Sequence, residues 1–105
     1  MKILALEKEM PGVSDAAFQS HLRTEAQAVW ALVQADVVRE IYFRQAWRGA
    51  VLILECRDAV EAEQTLGQLP LVKAGLIAFD VIPLVPYSGF ARLFGGRDEE
   101  PAAPR

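Results

Sequence analysis

The sequence predicts an α+β fold, in which two helices cover one face of a four-stranded antiparallel sheet. Two patterns indicate this fold: short apolar or alternating runs typical of strands, and two segments whose apolar residues recur every three or four positions. The chain has 105 residues, of which 52% are hydrophobic, so it is expected to form one domain with a packed core.

The N-terminal part predicts a strand and then one long helix. Residues 2–8 are mostly apolar, which favours a strand, and Met10, Pro11 and Gly12 after them favour a turn. Ser14 is a typical helix N-cap, and because neither glycine nor proline follows it, the helix is expected to continue to about Asp36. The expected apolar stripe of this helix consists of Phe18, Leu22, Val29, Leu32 and Val33.

The rest of the chain predicts a hairpin, a second helix and a fourth strand. Residues 39–44 alternate in polarity and residues 50–56 are almost continuously apolar, which favours two antiparallel strands. Asp58 and Glu61 resemble a capping box that opens a helix, and Pro70 is expected to end it. The fourth strand is expected at 75–84, the single domain at 1–94 and a flexible tail at 95–105. The order βαββαβ is that of the ferredoxin-like fold.

The apolar surface of the predicted sheet favours a homodimer. Strands one, three and four carry apolar side chains at both alternating positions, whereas two helices can cover only one face of the sheet. An uncovered apolar face of this size is unusual in a monomer, so we expect a second copy to pack against it. Tyr87 and the short apolar stretch of Phe90, Leu93 and Phe94 are expected to pack on the partner subunit.

Composition excludes several classes of function. The net charge of −3 and the pI near 5.1 disfavour nucleic-acid binding, since no basic face is available to neutralise phosphates. No apolar run reaches the roughly 18 residues of a membrane span, and the N-terminus does not resemble a signal peptide. With Cys56 and His21 as the only cysteine and histidine, we expect no internal disulfide, no metal site, no cofactor and a cytoplasmic location.

Four stretches of the chain carry a resemblance to a known family. They are 22–28 on the first helix, 39–44 on the second strand, the Leu69-Pro70-Leu71 turn, and 79–84. With these stretches the sequence resembles the dimeric α+β barrel superfamily and, within it, the muconolactone isomerase-like proteins. The resemblance implies a proton-transfer isomerase acting on a small anionic lactone from the breakdown of aromatic compounds. The acid/base glutamate of that family corresponds to Glu25, whereas a neighbouring lysine of the family is replaced by Arg23.

Glu25 is also the main candidate catalytic residue by its position on the helix. At about 100° per residue it falls near the middle of the apolar stripe, where an unpaired carboxylate is costly. Such a carboxylate faces a site as a general base, or it forms a salt bridge, for which Arg44 or Arg39 are candidates. His21 lies one turn earlier at the margin of the stripe, where it can share a proton with Glu25 or be an ordinary surface residue.

Three further residues are candidates for binding a substrate. Tyr42 and Arg44 alternate with the apolar residues of the second strand and would supply a phenol donor and a cation for a carboxylate. The alternative is that they form an ordinary solvated strand face. Trp30 is a candidate wall for an aromatic ligand, or a packing residue at an interface.

Two other function classes remain open at this point. The first is a non-catalytic ligand-binding or assembly protein, in which Glu25 belongs to a structural ion pair. The second is a cofactor-free monooxygenase of the same superfamily, or a haem-associated relative in which His21 would be the only available imidazole ligand.

Overall fold

The structure is a computed structural model that describes residues 1–95. In chain order the elements are β1 (Lys2–Glu9), α1 (Asp15–Gln19), α2 (Leu22–Gln34), β2 (Val38–Phe43), β3 (Ala50–Glu55), α3 (Ala59–Leu66), α4 (Pro70–Lys73), β4 (Ile77–Pro83) and a 3-10 helix (Gly89–Phe94). This is the predicted ferredoxin-like arrangement, so the fold class is confirmed. Of the expected tail at 95–105, all residues after Gly95 lie outside the described part of the chain.

The strands form one antiparallel sheet with the order β2-β3-β1-β4. β2 and β3 are the predicted hairpin, and β1 lies between β3 and β4. Pro83, which cannot donate a ladder hydrogen bond, lies on the edge strand β4, as expected from its position near the end of the predicted strand. Within residues 1–95, no helix is long and apolar enough to cross a membrane.

The two faces of the sheet differ in how they are covered. On the face that we call the helix face, Ile3, Ala5, Leu52 and Leu54 are buried against the helices. The core there also contains Ala62 and Leu66 of α3 and Leu69, with Val29 and Leu32 of α2 packed against it. The opposite face, which we call the open face, carries alternate residues of the same strands, and its large aliphatic residues are Leu4, Leu6, Val51, Ile53 and Ile82. The apolar side chains of the open face all remain partly exposed.

The long helix that the sequence predicts from Ser14 to about Asp36 is divided into α1 and α2, so that prediction is wrong at Ser20 and His21. The backbone N–H of His21 donates to the carbonyl oxygen of Phe18 at 2.9 Å, which is a bond three residues back instead of four. The ψ angles of Ser20 and His21 are −13° and −11°, closer to a 3-10 turn than to an α-helix. Leu22, the first residue of α2, was expected in the buried stripe but is 45% exposed.

α2 ends in a Schellman motif that contains an aspartate where glycine is usual. The N–H of Val37 donates to Leu32 O at 3.0 Å, and the N–H of Asp36 donates to Val33 O at 3.1 Å. Asp36 has a φ of 62°, the left-handed conformation in which a residue with a Cβ is strained. The end of α2 is therefore fixed by hydrogen bonds, and the left-handed backbone conformation of Asp36 offsets part of the stability that they provide.

The expected second helix ends at Leu66, before the predicted position, and is followed by a short helix, α4, that the sequence analysis did not predict. Asp58 caps α3 as predicted, because its carboxylate accepts a hydrogen bond from Glu61 N at 2.8 Å. Pro70, which was expected to end this helix, instead occupies the first position of α4. An N–H at this position would have no acceptor within the helix, so the N–H that proline lacks costs no hydrogen bond. Gly75 was predicted to begin the fourth strand, but it lies just after α4 with a φ of 74° and β4 begins at Ile77.

The segment after β4 leaves several large apolar side chains exposed. We call residues 85–94 the C-terminal arm. Tyr87 and Phe90 contact each other edge to face with ring centroids 4.9 Å apart, but each is more than 60% exposed. Leu93 and Phe94 of the 3-10 helix are 72% and 84% exposed. Within a single chain, the arm therefore does not bury its apolar residues.

Candidate active site

The candidate site lies at the end of the helix face nearest the β2–β3 turn. There, one row of side chains crosses the sheet through Phe43, Ala50, Glu7 and Phe79, since Phe43 pairs with Ala50 and Glu7 pairs with Phe79. The helices cover this end of the sheet incompletely, because Phe43 is 66% exposed and Ile41 in the next row is 44% exposed. An exposed aromatic and aliphatic surface thus lies in the same layer as a carboxylate.

Glu7 is the carboxylate of this row. Its Oε1 accepts a hydrogen bond from the backbone N–H of Ala50 at 3.0 Å, which links β1 to the start of β3. Partial burial raises the pKa of Glu7 above its ordinary value, and the negative charges of Glu25 and Glu9 raise it further. The Ala50 N–H and the positive charge of Arg44 lower the pKa of Glu7, but the net result is still a raised pKa.

Glu25 faces the sheet from the first turn of α2, as the helical periodicity predicts. Glu25 is half-buried and lies about one helical turn before Ala28 and Val29, which pack against the core. Its Oε1 accepts a hydrogen bond from Leu71 N at 2.9 Å. Leu71 is the second residue of α4, so its N–H has no partner within that helix. The helix glutamate and the Leu69-Pro70-Leu71 turn, noted separately in the sequence, are thus in contact.

The environment of Glu25 favours its protonated form. Burial is the main cause that raises its pKa above the ordinary value, while the Leu71 N–H and the charge of His21 lower the pKa by less. Among residues 1–95, neither Arg39 nor Arg44 forms the salt bridge with Glu25 that was considered as the alternative. Arg39 instead donates from Nε to the carbonyl oxygen of Asp36 at 2.6 Å.

His21 precedes α2 directly and is half-buried. Its carbonyl oxygen accepts the first bond of the helix, from Glu25 N at 2.8 Å. Its charge acts on the Glu25 carboxylate, as stated above, so the two predicted acid/base candidates are neighbours. In the described part of the chain, no three His, Cys, Asp or Glu side chains lie close enough together to hold a metal ion.

Two arginines lie at the β2–β3 turn next to this row. The guanidinium carbon of Arg44 lies 5.1 Å from the ring centroid of Trp47, and that of Arg48 lies 5.6 Å from the ring centroid of Phe43. Gly49 permits this packing, because a Cβ at that position would collide with the Trp47 ring. Neither arginine forms an ion pair with a carboxylate of residues 1–95.

Two of the predicted substrate-binding residues lie elsewhere. Tyr42 pairs with Val51 on the open face, across the sheet from Glu25, and its hydroxyl donates to Glu40 Oε1 at 2.7 Å. This hydrogen bond and the charge of Glu40 raise the pKa of Tyr42. Trp30 is 59% exposed on α2 and belongs to neither the core nor the row of Glu7. The charges of Glu25 and Arg44 therefore act on Glu7, and that of His21 acts on Glu25, whereas Tyr42 and Trp30 lie elsewhere.

Sequence reasoning did not identify Glu7. The available signal was the alternation of β1, which places Glu7 on the same side as Ile3 and Ala5. Both sides of β1 are apolar, however, because Leu4 and Leu6 alternate with those residues. The sequence therefore does not say which side faces the helices.

Comparison with known proteins supports the fold. No protein-family model matches the chain, and no curated protein sequence matches it. Among solved structures, it is similar to 5-chloro-2-hydroxyhydroquinone dehydrochlorinase (TftG) from Burkholderia phenoliruptrix AC1100, in complex with 2,5-dihydroxybenzoquinone. The TM-score is 0.62 and the sequence identity is 20%, over 85% of this chain and 98% of that one. At this identity, the likeness shows a common fold.

Proposed function

We propose that this protein is a proton-transfer enzyme that acts on a small, anionic, ring-derived molecule, with Glu25 as the general base. The observation that carries the proposal is the Glu25 carboxylate itself. It is half-buried on the inward side of α2, one oxygen is fixed by Leu71 N, and no lysine or arginine of residues 1–95 is paired with it. A carboxylate in this environment is a better base than one in water.

The proposed reaction is the shift of a double bond in an unsaturated lactone, as in the muconolactone isomerase-like proteins. Glu25 takes a proton from a carbon beside the carbonyl, and the electron pair of the broken C–H bond passes into the conjugated system. The proton then returns to another carbon of the same molecule, so no other reactant is needed. Arg44, which is half-buried, acts with its positive charge on Glu7 and has no ion-pair partner in residues 1–95, would bind the carboxylate of the substrate.

The structural neighbour gives this proposal a chemical parallel. A dehydrochlorinase removes hydrogen and chloride from its substrate, so its reaction also requires a group that accepts a proton. The neighbour was solved with a dihydroxybenzoquinone, which is a flat ring of similar size to a lactone. The exposed Phe43 and Ile41 beside Glu7 would offer such a ring an apolar surface.

We also propose that the protein works as a homodimer in which two open faces pack together. Leu4, Leu6, Val51 and Ile53 form a continuous apolar surface on the two central strands of this face, because Leu4 pairs with Ile53 and Leu6 with Val51. Burial of these side chains against a second copy would remove the largest sheet surface that the helices leave uncovered. The exposed C-terminal arm would then pack on the partner subunit.

The direct test of the proposed function is the variant Glu25→Gln. Purified wild-type and variant proteins would be incubated in D₂O with a panel of unsaturated lactone carboxylates, and C–H exchange and isomerisation would be followed by NMR. We expect turnover by the wild type and a loss of at least 10²-fold in the variant, the usual contribution of a general base. Glu63→Gln, on the exposed side of α3, is the matched control and should retain activity. Equal activity of Glu25→Gln and the wild type would refute the proposal.

A further inference from the structure

We propose that Glu7 is the second carboxylate of the proton-transfer site, and that it shares with Glu25 the proton taken from the substrate. The role of Glu7 in turnover rests on the function proposed above, whereas the pairing of the two carboxylates does not. Glu7 was not among the residues that the sequence singled out. It lies near the end of β1 on the helix face, and Glu25 lies in the first turn of α2 and faces the same layer.

The first argument is the way in which the two side chains are held. Each carboxylate uses its Oε1 to accept one backbone hydrogen bond from a different element, Glu7 from Ala50 N at 3.0 Å and Glu25 from Leu71 N at 2.9 Å. Neither carboxylate forms an ion pair with a lysine or arginine of residues 1–95. In both groups, one oxygen is thus fixed and the charge is left without a cation bonded to it.

The second argument is the placement of Glu7 on the strand. Two residues earlier on the same side, Ala5 is fully buried in the core, so this side of β1 faces the helix layer. A glutamate there brings a charge into the layer where aliphatic side chains stabilise the fold, and the repulsion by Glu25 adds to its cost. An amide would make the same hydrogen bond to Ala50 N without this charge. The hydrogen bond alone therefore does not require a carboxylate at this position.

The charged groups around the pair determine how it binds a proton. Glu7 is influenced by Glu25 on α2, by Arg44 after β2 and by Glu9 on its own strand, whereas Glu25 is influenced by His21. When one carboxylate takes up a proton, the repulsion between the two negative charges disappears. The pair therefore takes up the first proton more readily than either group alone would.

This property suits the proposed reaction. Glu25 takes the proton as the C–H bond breaks, and the electron pair of that bond remains in the substrate as an enolate. The carboxyl pair holds the proton and returns it to a different carbon of the same enolate. One C–H bond is broken and one is formed, and both carboxylates return to their starting state.

A titration tests the pairing without any substrate. The side-chain carboxyl carbons of glutamate would be followed by ¹³C NMR between pH 3 and pH 8 in the wild type, Glu25→Gln and the control Glu63→Gln. We expect the titration midpoint of Glu7 to move to lower pH in Glu25→Gln, because the negative charge that acts on Glu7 has been removed, and not to move in the control. An unchanged midpoint of Glu7 in Glu25→Gln would overturn the proposal whether or not an activity is found.

Turnover then tests the role of Glu7 in the reaction. The glutamine in Glu7→Gln still accepts a hydrogen bond from Ala50 N, so a purely structural glutamate would be replaced without loss. We expect kcat to fall by about 100-fold, the lower end of the range for acid–base groups, and the acidic limb of kcat/KM to move to lower pH. Full activity of Glu7→Gln, in an enzyme that Glu25→Gln inactivates, would overturn the role of Glu7 and leave the proposed function intact. Full activity of both variants would instead refute the proposed function.

Discussion

Replacing Glu25 by glutamine or by alanine should separate its chemical role from its structural role. Glu25 accepts the hydrogen bond of Leu71 N at 2.9 Å, and this N–H lies in the first turn of α4, where no carbonyl of that helix can accept it. The amide oxygen of a glutamine can accept the same bond but cannot take up a proton. An alanine can do neither. Both variants should therefore lose turnover, but only alanine should lose the contact between α2 and α4.

The size of the stability difference follows from the burial of this contact. A buried donor that loses its acceptor costs about 1–3 kcal/mol, and because Glu25 is only half-buried, water can replace part of the bond. We therefore expect Glu25→Ala to be less stable than Glu25→Gln by about 1–2 kcal/mol, the lower part of that range. For a chain of this size, each 1 kcal/mol of this difference corresponds to a shift in Tm of roughly 4–8 °C.

The assay is urea unfolding of both variants, followed by circular dichroism at one fixed protein concentration, because the stability of a dimer depends on concentration. Turnover of the same preparations would be measured in parallel. If glutamine and alanine reduce the free energy of unfolding equally, the hydrogen bond to Leu71 does not contribute to stability. If glutamine retains turnover, the assignment of Glu25 as the base is wrong.

Three other predictions concern stability and assembly. Asp36→Gly should raise the free energy of unfolding by about 1 kcal/mol in thermal denaturation, because the φ of 62° costs an L-residue more than a glycine; a decrease would contradict this explanation. Glu7→Gln should be more stable than the wild type at neutral pH, because the folded-state pKa of Glu7 is raised above its unfolded value and its charge therefore costs stability above that pKa. The difference should shrink as the pH of the unfolding experiment falls toward the ordinary glutamate value of 4.5, and a constant difference would argue against a charge effect. Ile53→Asp, in the middle of the open face, should yield monomers in sedimentation velocity, whereas Val60→Asp on the exposed side of α3 should not; dimers of unchanged affinity in Ile53→Asp would refute the proposed interface.

The helices show which structural features can be predicted from sequence patterns and which cannot. The periodicity of α2 places Glu25 toward the core, because a helix turns by a fixed angle per residue and its apolar stripe marks the inward side. The break between α1 and α2 had no such signal. It is a 3-10 turn made of Ser20 and His21, two residues that are also compatible with a continuous helix.

Proline and glycine in the second half of the chain were correctly predicted to interrupt regular secondary structure. Each was assigned, however, to the wrong one of the two neighbouring elements. Pro70 was expected to end a helix, and it begins one. Gly75 was expected in a strand, and it terminates α4 with a positive φ. A single residue of this kind indicates that the backbone changes direction, but the hydrogen bonds on each side decide which element it belongs to.

The sequence by itself determined the order of the four strands and of the two helical regions between them, the hairpin and the inward position of Glu25, because each depends on local periodicity. Only the tertiary structure decided that Glu7 lies on the helix face and that Tyr42 lies on the open face. The reason is that a strand has two sides, and which one meets the helices is decided by packing. In β1 both sides are apolar, so the packing of α2 and α3 on Ile3 and Ala5 is what turns Glu7 toward the candidate site.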